Sequence, residues 1–342
     1  MIQPPKLMIF SRRIIALFMY FAWMSALFSA DAIPHVVIPF LDCSAESVAG
    51  GNVGVRPIGV DGINFDVQEL SGKQVFFNTG HGGSGVILAP GCAMEAIHQF
   101  EKRHSTFDKS QPIAVIGSGY SGLLIAEFLT RKGYIPKIYA DKMPEKNYMY
   151  NGTSCVTSLV AAGYWMPYGI NISDRELFEK LANDSWQYYY EQSSSLPGIS
   201  MRDAYEVSEE DPIQDPLLIG LLGKSDQVTI SIEGYEQYTQ AWHYRTLLID
   251  GNLLLNYVYE NLQTSGVVFE KKRFKTIADI EALEEGIIFN CSGFGSRDLF
   301  QDRIEPASGQ LVYLKDKEFP YFLRGRFEDV QFAFIQDQEE QQ

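Results

Sequence analysis

An α/β fold, in which a βαβ-built sheet stands beside a second, mixed or antiparallel sheet, follows from three features of the sequence. The apolar run Ile113-Ala114-Val115-Ile116 leads into Gly117-Ser118-Gly119-Tyr120-Ser121-Gly122 and then an amphipathic helix, Leu123 to Lys132. A second glycine-rich segment, Gly80 to Gly85, likewise joins a strand to a helical stretch. From about 200 to 245 apolar and polar residues alternate, as in Val228-Thr229-Ile230-Ser231-Ile232, the pattern of an antiparallel sheet with one covered face.

The individual elements read in order. Val36 to Phe40 and Val53 to Ile58 are extended stretches, and Gln74 to Asn78 is a strand running into the first glycine segment. Val86 to Glu101 reads as helix, and a polar loop, His104 to Gln111, precedes the strand at Ile113. Gly133 ends the following helix as a C-cap does, and Pro136 to Tyr139 is the second strand of the unit, with Asp141 just beyond it. Asp174 is the expected N-cap of a helix over 174 to 193. Leu253 to Thr264 is a helix, Val267 to Glu270 a short strand, and Gly286 to Asn290 a buried strand ending in Cys291-Ser292-Gly293-Phe294-Gly295. No internal repeat is visible.

Bulk properties narrow the function. A chain of 342 residues, 46% hydrophobic, is expected to form about two lobes around packed cores. Its 28 basic and 43 acidic residues leave a net charge of −15, which argues against a nucleic-acid partner and against attraction to anionic lipid. Cys43, Cys92, Cys155 and Cys291 show no metal-ligand spacing and are read as free thiols, with disulfides left open if the protein is exported. No metal is expected.

Residues 1–32 have the order of an export signal: Lys6, Arg12 and Arg13, the apolar run Ile14 to Phe28, then Ala30-Asp31-Ala32 as a cleavage sequence. Arg12-Arg13 after Ser11 resembles a twin-arginine signal, by which folded proteins are exported. Two alternatives stay open: an ordinary secretory signal, and a membrane anchor through residues 14–30. The expected location is the periplasm or the exterior, or the membrane if the anchor is kept.

The glycine segment at 117–122 has the full setting of a dinucleotide-binding fingerprint: strand before, helix after, acidic residue about twenty positions on. Gly117 permits the tight turn, Gly119 admits a pyrophosphate to the backbone, and Gly122 lets helix and strand pack closely. Tyr120 and Ser121 open the helix, whose free N–H groups and positive dipole end favour phosphates. Asp141 accepts from ribose hydroxyls. The fingerprint alone does not separate FAD from NAD.

Further segments resemble the D-amino-acid oxidase and glycine oxidase family of FAD-dependent oxidoreductases. They are Tyr139-Ala140-Asp141-Lys142; Thr157-Ser158-Leu159-Val160-Ala161-Ala162-Gly163-Tyr164-Trp165-Met166-Pro167; Asn290-Cys291-Ser292-Gly293; Gly54-Val55-Arg56-Pro57; and Asn78-Thr79-Gly80-His81-Gly82-Gly83-Ser84-Gly85 with Gly91-Cys92-Ala93. The resemblance implies a Rossmann-like FAD-binding domain (33–170 and 250–314), a substrate domain (171–249 and 315–335) and a frayed tail (336–342). It implies cofactor contacts from Lys142, Thr157, Ser158, Ala162, Gly163, Tyr164, Ser292 and Gly293, and from Gly82, Gly83, Ser84, Gly85 and Val86 at the pyrimidine end of the flavin. The GxRP and GHGG segments, C-terminal in the best-known members, here precede the dinucleotide fold, so the chain looks circularly permuted.

In that family's chemistry hydride passes from the substrate Cα to flavin, with the amine entering neutral, so no protein base is required. Arg56 is the candidate for holding the substrate carboxylate through two parallel hydrogen bonds. His81 is expected to brace the glycine loop rather than act as a base. Beyond Ser308-Gly309-Gln310-Leu311 the chain departs from the family, and its active-site tyrosines find no clear match; Tyr321 is a weak candidate, and part of a substrate lid is expected to be missing. The leading expectation is a flavoenzyme oxidising D-amino acids or glycine-like amines, with oxygen or a quinone as acceptor. The alternatives are a flavin-binding protein with lost turnover and, less favoured, an NAD-dependent dehydrogenase. Cofactor insertion before export gives a physical reason for the twin-arginine route.

Overall fold

The computed structural model describes residues 33–40, 42, 44–144, 156–161, 163–235, 237–315, 320–327 and 330–334. The expected leader, Cys43, Cys155, Ala162 and the 336–342 tail lie outside the described residues. In chain order the strands are β1 (His35–Ile38), β2 (Val48–Gly59), β3 (Val67–Leu70), β4 (Lys73–Phe77), β5 (Pro112–Ile116), β6 (Ile135–Ala140) and β7 (Ile199–Glu206). They continue as β8 (Asp226–Ile232), β9 (Tyr238–Ile249), β10 (Val268–Lys271), β11 (Ile287–Asn290), β12 (Ile304–Leu314), β13 (Phe322–Phe327) and β14 (Val330–Phe334). The helices are α1 (Gly85–Arg103), α2 (Tyr120–Arg131), α3 (Arg175–Gln192), α4 (Pro216–Leu222), α5 (Gly251–Thr264), α6 (Ile277–Glu281) and α7 (Gly295–Phe300).

The first sheet has the order β10-β6-β5-β11-β4-β3, parallel except for its edge strand β3. Strands buried on both faces must be apolar at every position, and β5 and β11 read that way, with Ile113 to Ile116 and Ile287 to Phe289 all buried. Alternate residues feed two cores. Phe76, Ile113, Val115, Ile138 and Phe289 meet α1, α2 and α5 on one face; Val75, Phe77, Ala114, Ile116 and Ile288 meet Ile280 of α6, Leu283 and Phe274 on the other. This is a Rossmann-like α/β sheet.

Pro90 in the middle of α1 has no N–H to give to the carbonyl four residues back, that of Val86. The Tyr189 hydroxyl on α3 donates to that carbonyl at 2.7 Å, and one turn on the Gly91 N–H bonds the Ser185 hydroxyl of α3 at 2.9 Å. The break in one helix is thus the seam to the other, which explains why α3 lies on α1 rather than on the second sheet.

The second sheet runs β1-β8-β9-β7-β13-β14, with β7, β8 and β9 antiparallel and with β1 and β13 entering parallel to β8 and β7. Strands β2 and β12 form a separate antiparallel ribbon in which Arg56 stands opposite Ala307 and Gly54 opposite Gly309. Besides α3, which was expected in the substrate domain and packs on α1, two placements differ from the expectation. The 35–38 strand joins the second sheet, and a helix, α4, interrupts the alternating stretch where only strands were expected. Asp215 caps that helix by accepting from Leu217 N at 2.9 Å, with Pro216 in its first turn.

Replacing Tyr189 by Phe keeps the ring and removes the donor to the Val86 carbonyl. We expect a loss of about 1–3 kcal/mol in unfolding free energy by urea denaturation, the cost of a buried unsatisfied acceptor; an unchanged stability would mean that the carbonyl finds another partner.

Candidate functional site

The carboxyl ends of the parallel strands converge on one cavity of about 650 Å³. In an open parallel sheet this is where ligands sit, in the crevice where successive connections leave in opposite directions. Here β5 lies between β6, which follows it in the chain, and β11, which comes much later. Gly117 to Ser121 after β5, Asp141 and Lys142 after β6, Cys291 to Gly295 after β11 and His81 to Gly83 after β4 all line the cavity.

Close packing forces glycine at Gly117 and at Gly122 behind it. A Cβ on Gly122 would lie 2.0 Å from the Gly117 carbonyl oxygen, and one on Gly117 would lie 2.4 Å from that of Cys291. Any side chain would push α2 off the sheet, and with it the row of N–H groups that α2 presents to the cavity. Gly122 therefore packs behind the loop and does not line the cavity. At the start of α2 the Tyr120 N–H is accepted by the Ser158 hydroxyl at 3.0 Å, so Ser158 stands where an anion bound to the helix would also stand. Four cations, Lys142, Lys272, Arg273 and Lys275, line the cavity around Asp141 although the chain as a whole carries −15.

Of the remaining expected site residues, Thr157, Ser158, Gly163, Tyr164, Ser292, Gly293, Gly82, Gly83, Gly85, Val86 and Arg56 line the same cavity. Ser84 does not: it is buried, donates to the Tyr168 carbonyl at 2.9 Å and accepts the Tyr168 N–H at 3.0 Å, and so fixes the segment that carries Tyr168. Tyr321 also lies elsewhere, packed edge-on against the Tyr205 ring at 5.3 Å in the second sheet.

Residues that the sequence did not single out build the other wall. Tyr168, one position past the recognisable 157–167 segment, lines the cavity, and the guanidinium carbons of both Arg56 and Arg324 lie 5.7 Å from its ring centroid. Arg324 is paired with Glu206 at 3.5 Å, whereas Arg56 makes no ion pair among the described residues. Gln310 and Leu311 of β12 complete the ribbon side. The only sequence signal for Tyr168 was its place directly after Pro167; Arg324 and Glu206 are joined by strand pairing across more than a hundred residues.

His81 is buried and its Nε2 bonds the Asn78 side-chain oxygen at 2.8 Å, which assigns the proton to Nε2. Burial pulls its pKa down to about 4, so the imidazole is neutral in the folded protein from neutral pH down to that point. The unfolded chain takes up this proton near the ordinary value of 6.5, so stability from this group is intact above 6.5 and is lost as pH falls toward 4. A His81→Gln variant should flatten the fall of stability between these values by up to about one proton in the slope, read from urea denaturation at several pH values; an unchanged slope would place the titration elsewhere.

A Rossmann-like sheet with an anion-ready crevice defines the class of protein. No protein-family model matches the chain. By sequence it is similar to several D-amino-acid oxidases. A D-amino acid oxidase of Dugesia ryukyuensis is 25% identical over 210 residues, 58% of this chain and 60% of that one. D-amino-acid oxidases of Dictyostelium discoideum (25% over 214 residues, 60% and 57%) and Streptomyces coelicolor (26% over 219 residues, 61% and 61%) match similarly. The chain thus spans about three-fifths of the length of the curated relatives it matches. Among solved structures, an L-amino acid deaminase from Proteus vulgaris (14% identical, 48% of this chain and 40% of that one, TM-score 0.31) is similar. So is an iminodiacetate oxidase from Chelativorans (17% identical, 47% of each, TM-score 0.32).

Proposed function

We propose that the chain is an FAD-dependent oxidoreductase that converts D-amino acids, or glycine-like amines, to the corresponding imino acids. The observation that carries this reading is Arg56: a guanidinium on the wall of the dinucleotide crevice, braced by Tyr168 and without an ion-pair partner among the described residues. In a chain of net charge −15 an unpaired arginine facing a cavity is a site for an anion from outside.

The residues present fit the cofactor. The loop Gly117 to Ser121 and the Ser158 hydroxyl would hold the pyrophosphate, and Asp141 the ribose hydroxyls, with Lys142 beside it. Thr157, Gly163, Ser292, Gly293 and the backbone of Gly82, Gly83, Gly85 and Val86 would line the remainder. When bound, the flavin supplies a two-electron acceptor for hydride. Arg56 would clamp the substrate carboxylate by two parallel bonds, fixing the direction of Cα. As Cα–H leaves with its electron pair, the amine lone pair forms the C=N bond, so the neutral amine needs no protein base. His81, neutral and bonded to Asn78, keeps the Gly82 loop in place without exchanging a proton at working pH. Oxygen or a quinone would reoxidise the cofactor. We also propose export through residues 1–32 by the twin-arginine route, with anchoring through residues 14–30 as the alternative.

The purified protein should show flavin absorbance that bleaches anaerobically with some D-amino acid of a broad panel. An Arg56→Ala variant should keep the flavin and lose about 100-fold or more in kcat/KM, as expected for losing a bidentate charged contact worth roughly 3 kcal/mol. Normal bleaching in that variant would contradict the role of Arg56, and flavin that never bleaches with any amine would favour a binder without turnover.

A further inference from the structure

We infer that Gly309 is a positioning residue for Arg56: the bare backbone of β12 is the seat that sets where the guanidinium stands in the cavity, and so how an incoming carboxylate is held. The inference rests on the role proposed above for Arg56.

The ribbon of β2 and β12 builds the seat. Successive side chains of a strand point to opposite faces, so Gly54 and Arg56 share one face of β2, and Gly309 and Ala307, their partners in the register, share the same face of β12. This is the inner face: a Cβ on Gly54 would lie 2.8 Å from Val160 Cγ2, whereas Val53 and Val55 on the opposite face are exposed. Gly309 is the diagonal neighbour of Arg56, within reach of a long side chain, and both residues line the cavity. A Cβ on Gly309 would lie 2.9 Å from Nη2, 3.0 Å from Cζ and 3.5 Å from Nε of Arg56. The guanidinium thus occupies the space that any other residue at 309 would fill.

Gly309 differs from the glycines that the fold itself demands. Its φ is not positive, so its backbone conformation is open to other residues. The three atoms nearest to an added Cβ all belong to the Arg56 guanidinium, whereas at Gly117 and Gly122 the obstacle is a backbone carbonyl. A guanidinium is the far end of a flexible side chain and can yield without moving the ribbon. Little else ties it down: among the described residues Arg56 has no hydrogen bond and no ion pair, and its second support is the Tyr168 ring, with the centroid 5.7 Å from Cζ. That ring is itself fixed. Ser84 holds the Tyr168 backbone, and a Cβ on Gly83 would stand 2.8 Å from the Tyr168 carbonyl oxygen and 3.2 Å from its Cε2. A methyl at 309 therefore costs the fold little and the arginine its place, because relieving the contact takes a shift of about 0.5–1 Å. A displacement of that size is enough to spoil a two-bond clamp on a carboxylate.

The test is a double-mutant cycle on carboxylate binding. The wild-type protein, Gly309→Ala, Arg56→Ala and the double variant are loaded with FAD and titrated with benzoate, a carboxylate without an amine or an oxidisable Cα–H, followed by flavin absorbance; the urea midpoint of each is measured alongside. Gly309→Ala should raise the dissociation constant about 10-fold or more without lowering the urea midpoint. In the Arg56→Ala background the same substitution should change it less than about 2-fold, since the methyl then enters space that the guanidinium has left. Equal losses in both backgrounds would overturn the inference, as would a Gly309→Ala protein that folds poorly, because each assigns the glycine to something other than the guanidinium. Gly309→Ala without effect, where Arg56→Ala weakens binding, overturns the inference alone. Arg56→Ala without effect, or a wild-type protein that does not bind benzoate, overturns it together with the role proposed for Arg56. The expected cycle in a protein bleached by no D-amino acid would contradict the proposed turnover and leave the seat standing.

Discussion

The helix α2 approaches the ends of β5 and β11 so closely that Gly122 has no room for a Cβ against the Gly117 carbonyl, nor Gly117 against that of Cys291. This contact is short because the sheet is parallel and buried on both faces, so its strands must be apolar and its helices must lie flat on it. Its consequence is directional: the first turn of α2 is held with its N–H groups facing the crevice. The strand ends on either side then deliver Asp141, Ser292 and His81 to the same space without further design. If α2 were lifted by one side chain, all of these groups would lose their common target.

In the second sheet strand pairing joins Glu206 to Arg324, and Glu206 accepts from the Tyr244 hydroxyl, which is hydrogen-bonded to that of Tyr164. Arg324 is already neutralised by Glu206, which leaves Arg56 as the arginine at Tyr168 still open to an incoming anion. Sheet pairing, rather than sequence proximity, sets this division of labour. The α1–α3 seam supports it from behind, because Val86, whose carbonyl Tyr189 satisfies, is itself part of the cavity lining.

Much of the first sheet was legible in the sequence because its signals are local: apolar runs, glycine turns and an amphipathic helix within thirty residues. Arg56, Gly82 and Ser158 were legible for the same reason, lying in short distinctive segments. What escaped depends on pairing across long separations. The 35–38 strand finds its partner about 190 residues later, in β8, and the Glu206–Arg324 pair exists only once β7 and β13 are side by side. Helix α4 is a different case: Asp215, Pro216 and Gly223 were its start and stop signals, overlooked because the flanking alternation favoured strand. Tyr321 packs, partly buried, against the Tyr205 ring of the second sheet, while Tyr168, one residue beyond a recognisable segment, lines the cavity.

The glycine loop after β4 enters the crevice beside β11, while α1 leads on to β5. What the protein does depends on what occupies the crevice. Titration of the cofactor-free protein with FAD and with NAD, followed by flavin fluorescence and by calorimetry, tests this most directly. One FAD per chain, bound at least about 100-fold more tightly than NAD, a difference of roughly 2.7 kcal/mol, is the predicted result; equal or tighter binding of NAD, or no binding of FAD, would contradict it.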